Sequence, residues 1–155
     1  MSYTLSTRSL ERLNGVNESL VNIVKIAIKT TKVDFGVTCG LRTKSEQAEL
    51  VKKGASQTMN SRHLPQESTG TSHAVDLVAY ISGRVSWELN LYDDIADAIK
   101  DAAINEGATI RWGAAWHKPL NEWDGTAEDL MNEYIDKRRS QGRRPFIDAP
   151  HFELV

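Results

Sequence analysis

The chain has 155 residues, 40% of them hydrophobic and 26% charged, which excludes a disordered or fibrous polymer and leaves room for one domain of ordinary size. Its 19 basic and 21 acidic residues leave a net charge of −2, without the basic excess expected of a nucleic-acid binder. Cys39 is the only cysteine, so no internal disulfide can form and the core has to hold by burial. No run approaches the apolar length of a membrane span. Met1 to Leu5 has neither the cationic start nor the apolar core of a signal peptide. A soluble product retained in the cytoplasm until released is therefore expected.

Residues 6 to 31 read as one helix. Ser6 or Ser9 can cap it, and Leu10, Leu13, Leu20, Val21, Val24 and Ile28 recur at three-and-four spacing. Asp34 to Cys39 is a short β-type run ending at Gly40. A second helix follows over residues 45 to 51, capped by Thr43 or Ser45 and closed by Gly54. Residues 55 to 72 are polar, with Pro65 and Gly70, and read as loop. Ala74 to Ile81 is the most β-like segment, with a turn at Ser82-Gly83. Residues 87 to 106 form an amphipathic helix stopped by Gly107, and Ile110 to Trp112 a short strand. A last helix is expected over 128 to 139 and a terminal strand over 151 to 155. Helices and strands mix without βαβ alternation, which predicts an α+β fold. The basic cluster Lys137, Arg138, Arg139, Arg143 and Arg144 reads first as a solvated face and second as a contact for an anionic polymer.

The chemistry-bearing residues are His63, His73, His117 and His151, with Asp76 and Asp148 near three of them. Asp76 lies inside an apolar strand, on the face shared with Ala74 and Val78. An ionised carboxylate there is costly unless it is paired, hydrogen-bonded or bound to metal. A catalytic zinc needs roughly three such ligands and an open position, with a carboxylate nearby that does not bind the ion. Cys39 sits in an apolar run with no histidine beside it in sequence, so structural burial is expected rather than nucleophilic use. Residues 121 to 129 are rich in oxygen donors but lack the EF-hand order of ligands. A plain loop is the first expectation there and Ca2+ the second. Trp112, Trp116 and Trp123 are expected in the core and along a cleft wall.

Ser61-Arg62-His63-Leu64, Thr69-Gly70 and His73-Ala74-Val75-Asp76 resemble the first signature of the VanY-type D-alanyl-D-alanine carboxypeptidase family. Asp148-Ala149-Pro150-His151 resembles its second signature, and Gly40-Leu41-Arg42-Thr43 with Gln47 its arginine segment. The opening residues 5 to 16, and Arg111 to Trp116, are similar to the phage-endolysin branch of L-alanyl-D-glutamate endopeptidases. The resemblance implies a small, mostly antiparallel sheet flanked by helices, with a zinc cleft on the sheet. One catalytic domain over residues 1 to 155, with no separate wall-binding domain, would follow. It also implies His63, Asp76 and His151 as Zn2+ ligands. Asp148 would be the base that deprotonates the attacking water and then protonates the departing amine. Arg42 would stabilise the oxyanion or hold a substrate carboxylate, and His73 would stand behind the ligands. The implied partner is bacterial peptidoglycan, met by a monomer released from the host cytoplasm, with no nucleic acid and no membrane insertion. His63 and Asp76 are thirteen positions apart, six more than in the family pattern. A longer surface loop costs little closure entropy, so His63 is retained as ligand, with His73 as its substitute. The alternatives are a D,D-carboxypeptidase or dipeptidase of the same family, or a catalytically silent, zinc-bound wall-binding module.

Overall fold

The computed structural model describes residues 2–155. In chain order it has α1 (Thr7–Arg12), α2 (Glu18–Thr30), β1 (Asp34–Cys39), α3 (Lys44–Lys52), β2 (Ala74–Ile81), β3 (Arg84–Ser86), α4 (Leu89–Glu106), β4 (Ile110–Trp112), a 3-10 turn (Leu120–Glu122), α5 (Ala127–Ser140) and β5 (His151–Leu154). The sheet is antiparallel throughout, in the order β1-β2-β5-β4, with β3 paired to β2. This is the expected α+β architecture. Among the described residues no helix is long and apolar enough to cross a membrane.

Alternation along β2 sends Val75, Leu77 and Ala79 into the core with α2 and α4. Asp76 and Tyr80 leave the opposite face, each half-buried. The buried stripes Leu20, Ile23, Val24 and Ala27 of α2 and Ile95, Ile99 and Ala102 of α4 supply the other half of the core.

The helix expected over residues 6 to 31 is broken. Gly15 adopts φ +83, and Asn17 starts α2 afresh by accepting from the Ser19 N–H. Leu10, on the supposed apolar stripe, is exposed as a result. The break is used: Gly15 and Asn17 exchange backbone hydrogen bonds with Ser72, which anchors the far end of the polar loop. α1 also covers the outer edge of β1. There Ser9 accepts from the Val37 N–H and Arg12 donates to the Val37 carbonyl, so side chains take up the edge groups at the middle of the strand. At the other edge Asn121 accepts from the Ile110 N–H and donates to the Ala108 carbonyl. The short β3, unforeseen beyond its turn, delays α4 from the expected residue 87 to Leu89.

Candidate active site

Three strands bring Cys39, Asp76 and His151 into one row. Cys39 faces Asp76 across β1 and β2, after a β-bulge between Val37 and Cys39. Asp76 faces His151 across β2 and β5. Beyond His151 the row ends at Gly113, whose N–H donates to the His151 carbonyl at 2.8 Å and whose carbonyl accepts from the Asp148 N–H at 2.7 Å. A Cβ on Gly113 would stand 2.1 Å from the Asp148 carbonyl oxygen and 2.9 Å from the His151 Cβ. Only glycine lets β4 approach the Asp148–His151 turn this closely.

His63 arrives from the polar loop, 13 residues before its neighbour Asp76 in sequence. Ser61 holds its backbone N–H, its carbonyl accepts from the Arg42 N–H, and its Nδ1–H donates to the Gly40 carbonyl at 2.8 Å. The ring is only 2% exposed. Its Nε2 lies 3.3 Å from Asp76 Oδ1 and makes no hydrogen bond among the described residues. His151 presents its other nitrogen: Nδ1 lies 3.3 Å from the same Asp76 Oδ1, and Nε2–H donates to Glu153 Oε1 at 2.8 Å. The two imidazoles meet edge to face, 5.2 Å apart.

Both rings thus commit one nitrogen to an acceptor behind them and aim the other at one carboxylate oxygen. A neutral imidazole with its proton so placed offers a lone pair at the front, and Asp76 Oδ1, 3.3 Å from a nitrogen of each ring, is a carboxylate oxygen that either a proton or a cation can bridge to them. With no ion between them, the same negative neighbours favour a proton on each ring instead. Burial pulls the His63 pKa down, but the approach of Asp76 and Cys39 outweighs it and lifts the value to about 10. For His151, burial is again outweighed, by Asp76 and Glu153, to about 9. Burial would raise Asp76, yet the two histidines hold it well below the carboxylate range. The cluster attracts positive charge to its middle.

Asp148 is half-buried beside this cluster. Burial first, and the charge of Asp76 second, raise its pKa against the opposing pull of His151, His63 and Arg42. Asp76, Asp148 and His151 bring ligand atoms within 4.8 Å of one another, as do Cys39, His63 and Asp76. His73 belongs to neither group. Its Nε2 bonds Thr69 Oγ1 at 2.8 Å within the loop, so the long insertion folds back while His63 takes the central position. Cys39, with no histidine beside it in sequence, has its sulfur 3.7 Å from His63 Nδ1. The loop closes a contact over 24 residues that sequence order hides.

Arg42 donates to Asp76 Oδ2 at 3.3 Å and to Gln47 Oε1 at 3.1 Å. Gln47 is wholly buried on α3 and donates to Ser56 Oγ and the Thr58 carbonyl, tying the arginine and the loop to one side chain. Thr43 and Glu46 form a reciprocal capping box that starts this helix. The cleft above the cluster has a volume of about 800 Å³, with Arg42, Arg62, Trp116, Phe146 and Asp148 among its walls. Trp116 stacks on Phe146 at 6.0 Å and lies 5.3 Å from the His151 ring. Trp112 is core, as expected. Residues 121 to 129 bring no three ligand atoms together among the described residues. Asn121 clamps β4, and Thr126 caps α5.

Glu153 and the bracing role of Gln47 were not among the expected site residues. Glu153 was readable in principle, because a residue two beyond His151 on a strand shares its face.

The profile of the phage L-alanyl-D-glutamate peptidase family matches residues 1–155. The chain is 26% identical over 159 residues to the L-alanyl-D-glutamate peptidase of Escherichia phage T5, covering all of both chains. It is also similar to the crystal structure of the L-Ala D-Glu endopeptidase ChiX of Serratia marcescens, with TM-score 0.68 and 35% identity over 98% of this chain and 90% of that one. With the whole chain matched and this cluster at its centre, the protein belongs to the phage L-alanyl-D-glutamate peptidase family.

Proposed function

We propose that this chain is a zinc-dependent endolysin that hydrolyses the L-alanyl-D-glutamate bond of peptidoglycan stem peptides, with His63, Asp76 and His151 holding the ion. The observation that carries this reading is the buried His63 Nε2, without a hydrogen bond, converging with His151 Nδ1 on Asp76 Oδ1. Two neutral imidazoles and one carboxylate are a donor set suited to catalytic zinc and leave it a net positive charge. When bound, the ion supplies Lewis acidity to the scissile carbonyl and to water.

The chain's own residues do the rest. Asp148 takes the proton of the attacking water and passes it to the departing D-glutamate amine; its raised pKa favours such a base. Arg42 restrains Asp76 through Oδ2 and directs its positive charge into the cleft, where the oxyanion develops. Trp116 and Phe146 provide an apolar wall against which a peptide can lie with water excluded. One domain suffices for this activity, acting as a monomer on the wall after release from the host cytoplasm.

Digestion of purified peptidoglycan, with mass spectrometry of the new termini, tests the reading. A new D-glutamate amine is expected, lost with a chelator and restored by zinc. Free D-alanine would instead make the chain a carboxypeptidase, and zinc binding without any cleavage would make it a binding module.

A further inference from the structure

We infer that Glu153 is a positioning residue of this site, which fixes the His151 ring with Nδ1 toward the metal position, and that Arg62 ties this restraint to the polar loop. The inference rests on the metallopeptidase reading above.

Glu153 stands two residues after His151 on β5, so both side chains leave the same face of the sheet. Both residues are 8% exposed. A carboxylate buried this far is costly without partners, and Glu153 has two. Its Oε1 accepts the His151 Nε2–H at 2.8 Å. Its Oε2 lies 3.8 Å from Arg62 Nε. A neutral imidazole carries one ring proton, so the bond to Glu153 leaves Nδ1 as the lone pair beside Asp76 Oδ1. For His63 the same task falls to a backbone group, the Gly40 carbonyl, acting on the opposite nitrogen. The two rings therefore need opposite tautomers, and Glu153 selects the one required of His151.

Arg62 is wired in both directions. Its Nη2 donates to the Leu154 carbonyl at 3.0 Å and its Nη1 to Gln66 Oε1 at 3.0 Å. Gln66 in turn donates to the Leu64 and Ser61 carbonyls on either side of His63. A chain of contacts thus runs from the loop through Arg62 and Glu153 to His151. Both histidines become dependent on the same loop conformation, although they lie on separate segments.

Zinc affinity, measured by competition with a chromophoric chelator, tests this on wild type, Glu153→Gln, Glu153→Ala and Arg62→Met. The Gln variant keeps an acceptor oxygen and is expected within about three-fold of wild type, whereas Ala loses roughly 10- to 100-fold. Arg62→Met is expected between the two. Ring 15N shifts of the zinc-loaded wild type should report His151 protonated at Nε2 and metal-bound at Nδ1. Equal affinity of wild type and Glu153→Ala overturns the inference while leaving the metal reading intact. A zinc-loaded His151 protonated at Nδ1 overturns it too, and that measurement holds even if Glu153→Ala fails to fold. A wild type that takes up no zinc sinks the metal reading first.

Discussion

At the scale of single residues, two histidines present opposite nitrogens to one carboxylate oxygen, and the roles proposed for their neighbours separate cleanly. Removing a ligand should abolish both binding and catalysis, whereas removing the base should abolish catalysis alone. His63→Ala is therefore expected to lose zinc and wall lysis together. Asp148→Ala should retain zinc and lose at least about 100-fold in cleavage rate. Zinc stoichiometry and peptidoglycan digestion on the same preparations check the pair, and a zinc-free Asp148→Ala would make Asp148 a ligand. Cys39 offers a contrasting case. Its thiol lies near His63 Nδ1, but that nitrogen is already held by the Gly40 carbonyl. Cys39→Ala should keep zinc affinity and activity close to wild type, and a large loss would bring the thiol into the ligand set.

At the scale of elements, the contact of β4 with the Asp148–His151 turn is the tightest joint near the site. Gly113→Ala puts a methyl group against the Asp148 carbonyl and must push the strand and turn apart. A loss of about 1–3 kcal/mol in urea unfolding is expected, with a disproportionate fall in activity because the proposed base and a proposed ligand both sit on that turn. Wild-type stability and activity in this variant would refute the joint. The packing of α4 against α5 carries a different strain. Asp93 Oδ1 is buried without a hydrogen-bond partner among the described residues. Burial first, then the charges of Glu128, Asp94 and Asp97, raise its pKa from 3.8 to about 7. Between those values the folded chain binds the proton and the unfolded chain does not, so stability falls as pH rises through the window. Asp93→Asn should remove that slope and stabilise the protein at pH 8 by on the order of 2 kcal/mol. Thermal melts of both proteins from pH 4 to 8 would measure it, and parallel profiles would contradict it.

At the scale of the whole molecule, the proposed metal position joins β2, β5 and the polar loop, so a bound ion would cross-link segments that are distant in sequence. An ion bound only by the folded state stabilises it by mass action, about 2.7 kcal/mol at a free concentration 100 times the dissociation constant. For a chain of this size that corresponds to a melting temperature roughly 5–10 °C lower after chelation. Calorimetry with chelator and with zinc restored checks the figure. No change in melting, with activity lost, would mean that the ion is held by less than the full set of ligands.

Local pattern decided much of this protein. The alternation of β2, the apolar stripes of α2 and α4, the Thr43 capping box and the stop at Gly107 are each written in a few adjacent residues, because period and capping are short-range physics. Asp76 was conspicuous for the same reason, a charge placed on an apolar strand. Tertiary structure decided what neighbouring residues cannot express. It broke the first helix at Gly15, where the turn was needed to anchor Ser72. It brought His63 rather than His73 to Asp76, by folding the long loop back on Thr69. It set Cys39, Asp76 and His151 in one row through the register of three strands, which pairs Asp76 with His151 across 75 positions. Register and loop closure are settled by the burial of the whole sheet, and for that reason the bracing role of Gln47 became visible only in the fold.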